Sequence, residues 1–201
     1  MEDILDLYEE SYDPKRPNLC MDERPCQLID DVVAPIAMKS GKALKYDYEY
    51  ERKGTCCVFI VCEPLTGWRY VEVRKRRTKV DYAQFMEKVS GMFPVAETLR
   101  VVQDNLNTHT YGSFYENFDA EKARRLKNLF EFHYTPKHAS WLNMAEIDLS
   151  ALVRQCLDRR MGDAEVLEQE AKAWEQDRNE QGFMIQWRFT TNDAREKLKR
   201  H

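Results

Sequence analysis

Runs of apolar residues, some alternating and some continuous, divide the chain into short strands and longer helices. Three strand-like runs come first, and a Pro and a Gly within residues 63–67 mark a turn between the second and the third. The predicted strands are Asn18–Arg24, Thr55–Cys62, Trp68–Arg74, Leu99–Gln103 and Leu129–Tyr134; the predicted helices are Val80–Met92, Phe118–Asn128, Leu142–Arg160, Asp163–Asn179 and Asn192–Arg200, the last capped by Thr191. This order predicts an α/β domain with a mixed five-stranded sheet flanked by helices.

Three acidic residues, Asp22, Asp104 and Glu146, stand where the surrounding pattern calls for an apolar or neutral side chain. Asp22 interrupts the first predicted strand, Asp104 follows the fourth, and Glu146 lies inside the apolar stripe of a helix. A carboxylate at the edge of a core is costly unless a cation or hydrogen bonds offset its charge. Because carboxylate oxygens suit hard cations, three such residues indicate a site for a divalent metal.

Helical periodicity separates Glu146 from its neighbour Asp148. Glu146 shares the three-and-four spacing of the apolar stripe and is therefore predicted to face inward, whereas Asp148 is rotated by about 200° and predicted to be an ordinary surface acid. The alternative is that Glu146 pairs with a buried arginine such as Arg154 or Arg160. The stripe consists of Leu142, Ala145, Leu149, Leu152, Val153 and Cys156.

The two aspartates occupy informative positions in their strands. Alternation along the first strand places Asp22 on the same face as Cys20 and opposite Met21. Asp104 stands between a strand and the polar segment 105–109, and ligands of open α/β sheets bind outside the carboxyl ends of strands. Each acid alone could equally be a cap or a loop residue, so the hypothesis of a metal site depends on all three together.

Composition is that of one globular domain. The chain has 201 residues, of which 43% are apolar and 33% are charged. It has no apolar run of about 18 residues and no signal-peptide pattern, so we expect a cytoplasmic protein with no membrane partner. Its six cysteines form no Cys-x-x-Cys pair, and we expect them to be reduced and not to bind metal.

The net charge of −4 is low for a protein that binds nucleic acid, but the charges are unevenly distributed. An acidic segment, residues 165–180, dominates the total. Arg74, Lys75, Arg76 and Arg77 form a dense basic cluster. Such a cluster is either a solvated loop or a contact surface for DNA phosphates.

Four motifs resemble those of one known family: Cys20–Pro25 (CMDERP), Asp47–Tyr50 (DYEY), Val102–His109 (VQDNLNTH) and His133–Glu146 (HYTPKHASWLNMAE). With Trp187–Thr191 and Asp193–Arg195, they resemble the DDE transposases of bacterial insertion sequences in the mariner superfamily, in the group called insertion sequence six-thirty. The resemblance implies a ribonuclease-H-like catalytic domain over residues 17–201, with its C-terminal helices starting at about residue 162. Residues 1–16 are then expected to be an arm or the remnant of a linker.

By the same resemblance, Asp22, Asp104 and Glu146 correspond to the catalytic triad. They would hold two Mg²⁺ ions, for which Mn²⁺ would substitute, with Asp22 bridging the ions and the other two acids each binding mainly one. The implied partner is double-stranded DNA, and the implied assembly on that DNA is a homodimer associated with the bacterial nucleoid. The implied reaction is hydrolysis at the transposon ends followed by strand transfer into target DNA, usually at TA dinucleotides.

Six neighbours of the triad are expected to orient metal ligands or to contact DNA. They are Asn105, Asn107, His109, His138, Trp141 and Asn143. The alternative interpretation is that the two histidines stabilise loops and that Trp141 packs against the domain.

Relatives in this family begin with helix-turn-helix modules that bind the ends of the element. This chain opens a short way before the first catalytic strand, so we expect either a fragment or a protein whose DNA-binding part is encoded separately or lost. Two other functions stay open at this point: a catalytically silent DNA-binding or regulatory relic, and a stand-alone nuclease of the same fold.

Overall fold

The computed structural model describes residues 1–199 and contains a five-stranded sheet with helices on both faces. In space the strands run in the order β3-β2-β1-β4-β5; the first three are antiparallel, and β4 and β5 run parallel to β1. This confirms the predicted mixed five-stranded sheet of the ribonuclease-H-like type. The strands are β1 (Asn18–Asp31), β2 (Tyr50–Glu63), β3 (Trp68–Arg74), β4 (Leu99–Gln103) and β5 (Phe130–Tyr134); the helices are α1 (Glu2–Glu9), α2 (Lys79–Met92), α3 (Tyr111–Asn117), α4 (Ala120–Leu129), α5 (Ala145–Leu152), α6 (Ala164–Gln181) and α7 (Thr191–Leu198).

The sheet separates two apolar cores, because successive side chains of a strand point to opposite faces. Cys20 of β1 belongs to a core that α1, α5 and α6 cover, whereas Leu19 and Met21 belong to a second core under α2, α3 and α4. Helix α5 therefore packs on the face of β1 that carries Cys20.

Strand boundaries agree best with the sequence where the strands are buried. The predicted strands Trp68–Arg74 and Leu99–Gln103 coincide with β3 and β4. Strands β1 and β2 are longer than predicted and pair as far as Asp31 and Tyr50 in an extended hairpin. The outer halves of both strands are largely exposed, so no apolar pattern marks them in the sequence.

The long helix predicted over Leu142–Arg160 is interrupted at Asn143. A 3₁₀ turn precedes this residue, α5 follows it, and a π-helical turn over residues 153–157 ends the segment. The Asn143 side chain bonds the backbone on both sides: its Oδ1 accepts from the Ala145 N–H (3.2 Å) and its Nδ2 donates to the Met21 carbonyl (2.8 Å). These bonds compete with helical ones and fix the start of α5 on β1.

The segment before β5 also differs from the single predicted helix. The structure has α4 where Phe118–Asn128 was predicted, and a separate helix, α3, lies before it. Asp119 begins α4 by accepting a hydrogen bond from the Lys122 N–H at 2.9 Å. A capping aspartate of this kind starts a new helix and ends the preceding one.

The two ends of the described chain correct two expectations. Residues 1–16 are not a free arm, because they contain α1, whose Ile4 and Leu5 are fully buried in the core beneath α5 and α6. Helix α7 is capped by Thr190 and not by Thr191, through a reciprocal capping box with Asp193. Its predicted end at Arg200 lies outside the described residues.

Helix α6 lies along β3, which is an edge strand of the sheet. The side chain of Asn179 accepts a hydrogen bond from the Arg69 N–H and donates one to the Arg69 carbonyl, both at 2.8 Å. A carboxylate oxygen of Glu175 accepts from the next outward-facing amide, that of Val71, at 2.5 Å. Side chains of α6 therefore take the place of a further strand along this edge.

The described chain contains no disulfide bond. All six cysteines are free thiols, and five of them are buried. None of the helices within residues 1–199 is both long and apolar enough to cross a membrane.

Candidate active site

Asp22 and Asp104 occupy equivalent positions on two neighbouring parallel strands. The parallel pairing of β1 with β4 ends at Cys20 opposite Val102, and each acid lies two residues beyond this pair. Because parallel strands in register lie about 4.8 Å apart, the two carboxylates meet at the carboxyl edge of the sheet. This is the edge at which α/β sheets bind their ligands.

Glu146 reaches the same region from the first turn of α5. Asn143, three residues earlier, holds the start of this helix against β1: its Nδ2 donates to the Met21 carbonyl and lies 3.5 Å from Oδ2 of Asp22. The amino end of α5, with its partial positive charge, is therefore fixed close to the Asp22 carboxylate. The same contact brings Glu146 close enough to Asp22 for its charge to raise the pKa of that residue.

The raised pKa of Asp22 reflects, in part, the charges of the acidic side chains near it. Burial raises the pKa of Asp22, a hydrogen bond from the Glu23 N–H to Oδ1 (2.8 Å) opposes the increase, and the charges of Glu146, Glu23 and Asp104 add to it. The resulting pKa is about 7. The charges of both other members of the proposed triad thus act on Asp22, as neighbouring carboxylates do.

His109 is fully buried beside Asp104 and connects it to a further acid. Its Nδ1 lies 2.5 Å from Oδ1 of Asp104, and its Nε2 lies 2.9 Å from Oε2 of Glu23. Burial alone lowers the pKa of His109, but the contacts with the two carboxylates outweigh it and raise the pKa to about 9. His109 is therefore a cationic partner for both acids at neutral pH.

The donor set suits a hard divalent cation, although the side chains do not already form a closed cage. Within residues 1–199, no group of three or more His, Cys, Asp or Glu side chains is arranged to hold a metal ion. One oxygen of Asp104 is directed to His109, whereas Asp22 and Glu146 have no ion-pair partner in the described part of the chain. Two carboxylates without a counter-charge fit a site that a cation completes.

Asp148 is buried, contrary to the prediction that it is an ordinary surface acid. The buried positions of this helix are Ala145, Asp148, Leu149, Ala151 and Leu152, and the Asp148 side chain is 0% exposed, whereas Glu146 is partly exposed at the rim. Oδ1 of Asp148 lies 2.9 Å from Nε of Arg69 and 3.7 Å from Nη2 of Arg178. The prediction failed because Asp148 lies three residues after Ala145 and four before Leu152, so it shares the buried face of these two residues.

Neither of the alternative partners of Glu146 forms an ion pair with it among the described residues. Arg160 forms an ion pair with Asp31 at 2.6 Å and donates to backbone carbonyls of the 48–49 segment. Arg154 is exposed on the π-helical turn. Neither arginine supports the interpretation of Glu146 as a structural ion-pair residue.

The six expected neighbours divide into two groups. Asn143 and His109 are buried and contact Asp22 and Asp104, respectively. Asn105 and Asn107 are exposed in the loop after β4. His138 is exposed and adopts a left-handed backbone conformation (φ 64°), and Trp141 is 50% exposed and stacks on Trp187 at a centroid distance of 6.2 Å.

Glu23 was not singled out from the sequence, yet it contacts the site through His109. It directly follows Asp22 and therefore points to the opposite face of β1. A charged residue at a core-facing position of a strand was the available signal, and the adjacent Asp22 obscured it.

The basic cluster is smaller than the sequence suggests. Arg74 is almost buried and pairs with Glu72 at 2.7 Å and with Asp81 at 3.7 Å, so it is not available to DNA phosphates. Lys75, Arg76 and Arg77 are exposed in the turn between β3 and α2. The exposed part of the cluster consists of these three residues.

The fold and the acids at its carboxyl edge define the chain as an α/β domain of the ribonuclease-H-like class. Residues 17–168 match the family described as DDE superfamily endonuclease, and the chain belongs to that family. Among solved structures, the chain resembles one described as the Mos1 mariner paired end complex with Mn, at 13% identity and a TM-score of 0.46. The match covers 90% of this chain and 59% of the Mos1 chain, so the protein described here spans less than two thirds of that chain's length. No curated protein matches the sequence.

Proposed function

We propose that this chain is the catalytic domain of a DNA transposase of the insertion sequence six-thirty group, with Asp22, Asp104 and Glu146 as its triad. The observation that carries the proposal is the shared register of Asp22 and Asp104, together with the fixing of α5 beside Asp22 through Asn143. Family membership supplies the class of reaction, which is cleavage of phosphodiester bonds in DNA.

Asp22, Asp104 and Glu146 would hold two Mg²⁺ ions, and Mn²⁺ would substitute for them. When bound, two such ions activate the attacking oxygen and stabilise the leaving oxygen of an in-line displacement. Asp22 lies between the other two acids and is the residue suited to bridge the ions. Asn143 orients the Asp22 carboxylate, and His109 holds one oxygen of Asp104 so that the other stays free.

The substrate in this proposal is double-stranded DNA, first at the transposon ends and then at a target site, where the family expectation is a TA dinucleotide. Lys75, Arg76 and Arg77 are placed to neutralise phosphates. A second set of exposed side chains, Lys137, His138 and Trp141, lies just before Asn143 and Glu146. These residues would receive the DNA strand next to the triad.

We also propose that the active assembly is a homodimer. The segment that joins β1 to β2, together with the first residue of β2, exposes an unusual number of large apolar side chains to solvent, and contiguous exposed apolar surface marks interaction sites. These side chains are Val32, Val33, Ile36, Met38, Leu44, Tyr46, Tyr48 and Tyr50. Sedimentation of the chain with DNA, compared with a variant that carries polar residues at Ile36 and Met38, tests this part of the proposal.

The decisive experiment is a nicking and strand-joining assay with end-containing duplex DNA in Mg²⁺ or Mn²⁺. Asp22→Asn, Asp104→Asn and Glu146→Gln should each abolish cleavage while the circular dichroism spectrum stays unchanged, and Glu168→Gln, on an exposed position of α6, is the matched control. Cleavage that persists in any of the three removes that residue from the triad. Cleavage without joining would identify a stand-alone nuclease, and DNA binding without cleavage would identify a silent relic.

A further inference from the structure

Glu23 is a buried carboxylate whose contacts lead to the proposed metal site. Its side chain is 1% exposed, and its Oε2 lies 2.9 Å from Nε2 of His109. The other ring nitrogen of His109 lies 2.5 Å from Oδ1 of Asp104. One imidazole therefore bridges two carboxylates, one in the core and one at the rim of the sheet.

Stacking and backbone hydrogen bonds hold His109 in place, and the two carboxylates contact its ring nitrogens. The ring lies over Tyr82 at a centroid distance of 4.8 Å, which fixes its plane. The backbone carbonyl of His109 accepts hydrogen bonds from Tyr134 (2.8 Å) and from Gln103 (3.2 Å), which fixes the loop. Among the described residues, the polar contacts of the ring nitrogens are those of Nδ1 with Asp104 and of Nε2 with Glu23, and these contacts distinguish the two orientations of the ring.

Burial of Glu23 needs a reason, because a carboxylate in a core is unfavourable without close partners. Apart from His109, its ion-pair contact among the described residues is Arg77, which is 3.8 Å away and 54% exposed. An apolar residue at this position of β1 would join the core that already contains Met21. A carboxylate at position 23 thus supplies a contact with Nε2 of His109 that an apolar residue could not make.

We propose that Glu23 is a positioning residue for Asp104: by holding Nε2 of His109, it directs Nδ1 to one oxygen of Asp104 and leaves the other oxygen for the metal. The inference rests on the proposed role of Asp104 as a metal ligand. Polar partners of metal ligands set the orientation of those ligands, and loss of such a partner weakens metal binding by about 10- to 100-fold.

The test is a Mn²⁺ titration of the full chain, followed by its melting temperature, with no substrate present. Glu23→Gln and His109→Gln should each raise the Mn²⁺ concentration at half-maximal stabilisation by about tenfold. The double variant should need no more Mn²⁺ than the single ones, because Glu23 acts through His109. Glu72→Gln, which also removes a buried carboxylate but on β3, away from the proposed site, should lower the melting temperature but leave the Mn²⁺ midpoint unchanged.

Two outcomes would overturn the inference: an unchanged midpoint in Glu23→Gln, or additive effects in the double variant. If Glu23→Gln does not fold, Glu23→Asp keeps the charge but withdraws it from His109, and an unchanged midpoint in that variant is equally contrary. The proposed function fails separately, when the unmodified chain shows no response to Mn²⁺. If the unmodified chain responds, Asp104→Asn does not, and Glu23→Gln titrates normally, the positioning role alone is wrong.

Discussion

Oδ1 of Asp148 lies 2.9 Å from Nε of Arg69, and both side chains are completely buried between the sheet and α6. Arg69 also donates hydrogen bonds to the carbonyls of Gly67 and Phe183. This pair ties α5, which carries Glu146, to strand β3 and to the segment after α6. Two residues on one turn of α5 thus have separate tasks, since Glu146 faces the site and Asp148 anchors the helix.

The first prediction concerns this anchor. Asp148→Asn should destabilise the protein by about 3–5 kcal/mol, because it leaves the Arg69 guanidinium buried without its counter-charge. Urea unfolding measures the change. Glu168→Gln, which removes an exposed acid from α6, should stay within about 0.5 kcal/mol of the unmodified protein, as surface substitutions do. A small effect of Asp148→Asn would mean that water reaches Arg69.

The second prediction concerns the pH dependence of the metal-free protein. The pKa of Asp22 is raised to about 7 in the folded state, so the folded chain holds this proton more tightly than the unfolded chain. The contribution of Asp22 to stability is therefore present at low pH and is lost as the pH rises through 7. In EDTA, Asp22→Asn should raise the melting temperature by an amount that grows from pH 4 to pH 7 and is constant above it.

Asp104→Asn is the matched comparison for this pH experiment. Asp104 has a cationic partner in His109 at 2.5 Å, so neutralising it removes a favourable contact. This variant should not gain stability in EDTA at any pH. Equal stabilisation by Asp22→Asn and Asp104→Asn would contradict the arrangement of charges described above.

The third prediction concerns DNA binding by the turn between β3 and α2. Replacing both Lys75 and Arg76 by Ala should weaken duplex binding for all sequences and reduce the slope of log affinity against log salt by up to about 1.8, since each phosphate contact contributes about 0.9. Arg74→Ala should instead lower stability and leave the slope unchanged, because Arg74 pairs with Glu72 and Asp81. Fluorescence anisotropy over a series of salt concentrations distinguishes the two results.

The fourth prediction concerns Trp141, which is half-exposed and stacks on Trp187. We expect an unpaired base near the cleavage position to stack on its outer face, which is worth about 1–3 kcal/mol per base. Trp141→Ala should weaken binding to DNA with a single-stranded end by a corresponding factor, and Trp141→Phe should restore most of it. If both variants bind as the unmodified chain does, Trp141 only packs against Trp187.

Much of the fold could be predicted from the sequence because the central strands are continuous apolar runs. The extent of β1 and β2 could not, since pairing of their outer halves depends on backbone hydrogen bonds between polar residues. The burial of Asp148 was hidden for another reason: an acidic residue in a helix is expected at the surface from its type alone, and its partner Arg69 lies on β3, far away in the sequence. The burial of Arg74 and of Glu23 likewise depends on partners that only the folded structure brings into contact: Glu72 and Asp81 for Arg74, and His109 for Glu23.

The covering of β3 by α6 has a consequence for how copies of this chain can associate. Amide and carbonyl groups of an uncovered edge strand recruit strands from other molecules, which leads to uncontrolled aggregation. Asn179 and Glu175 occupy these groups on β3 and close this route. Association at the β3 edge must then use side-chain surface, and the segment between β1 and β2 offers exposed apolar side chains for ordered association elsewhere on the chain.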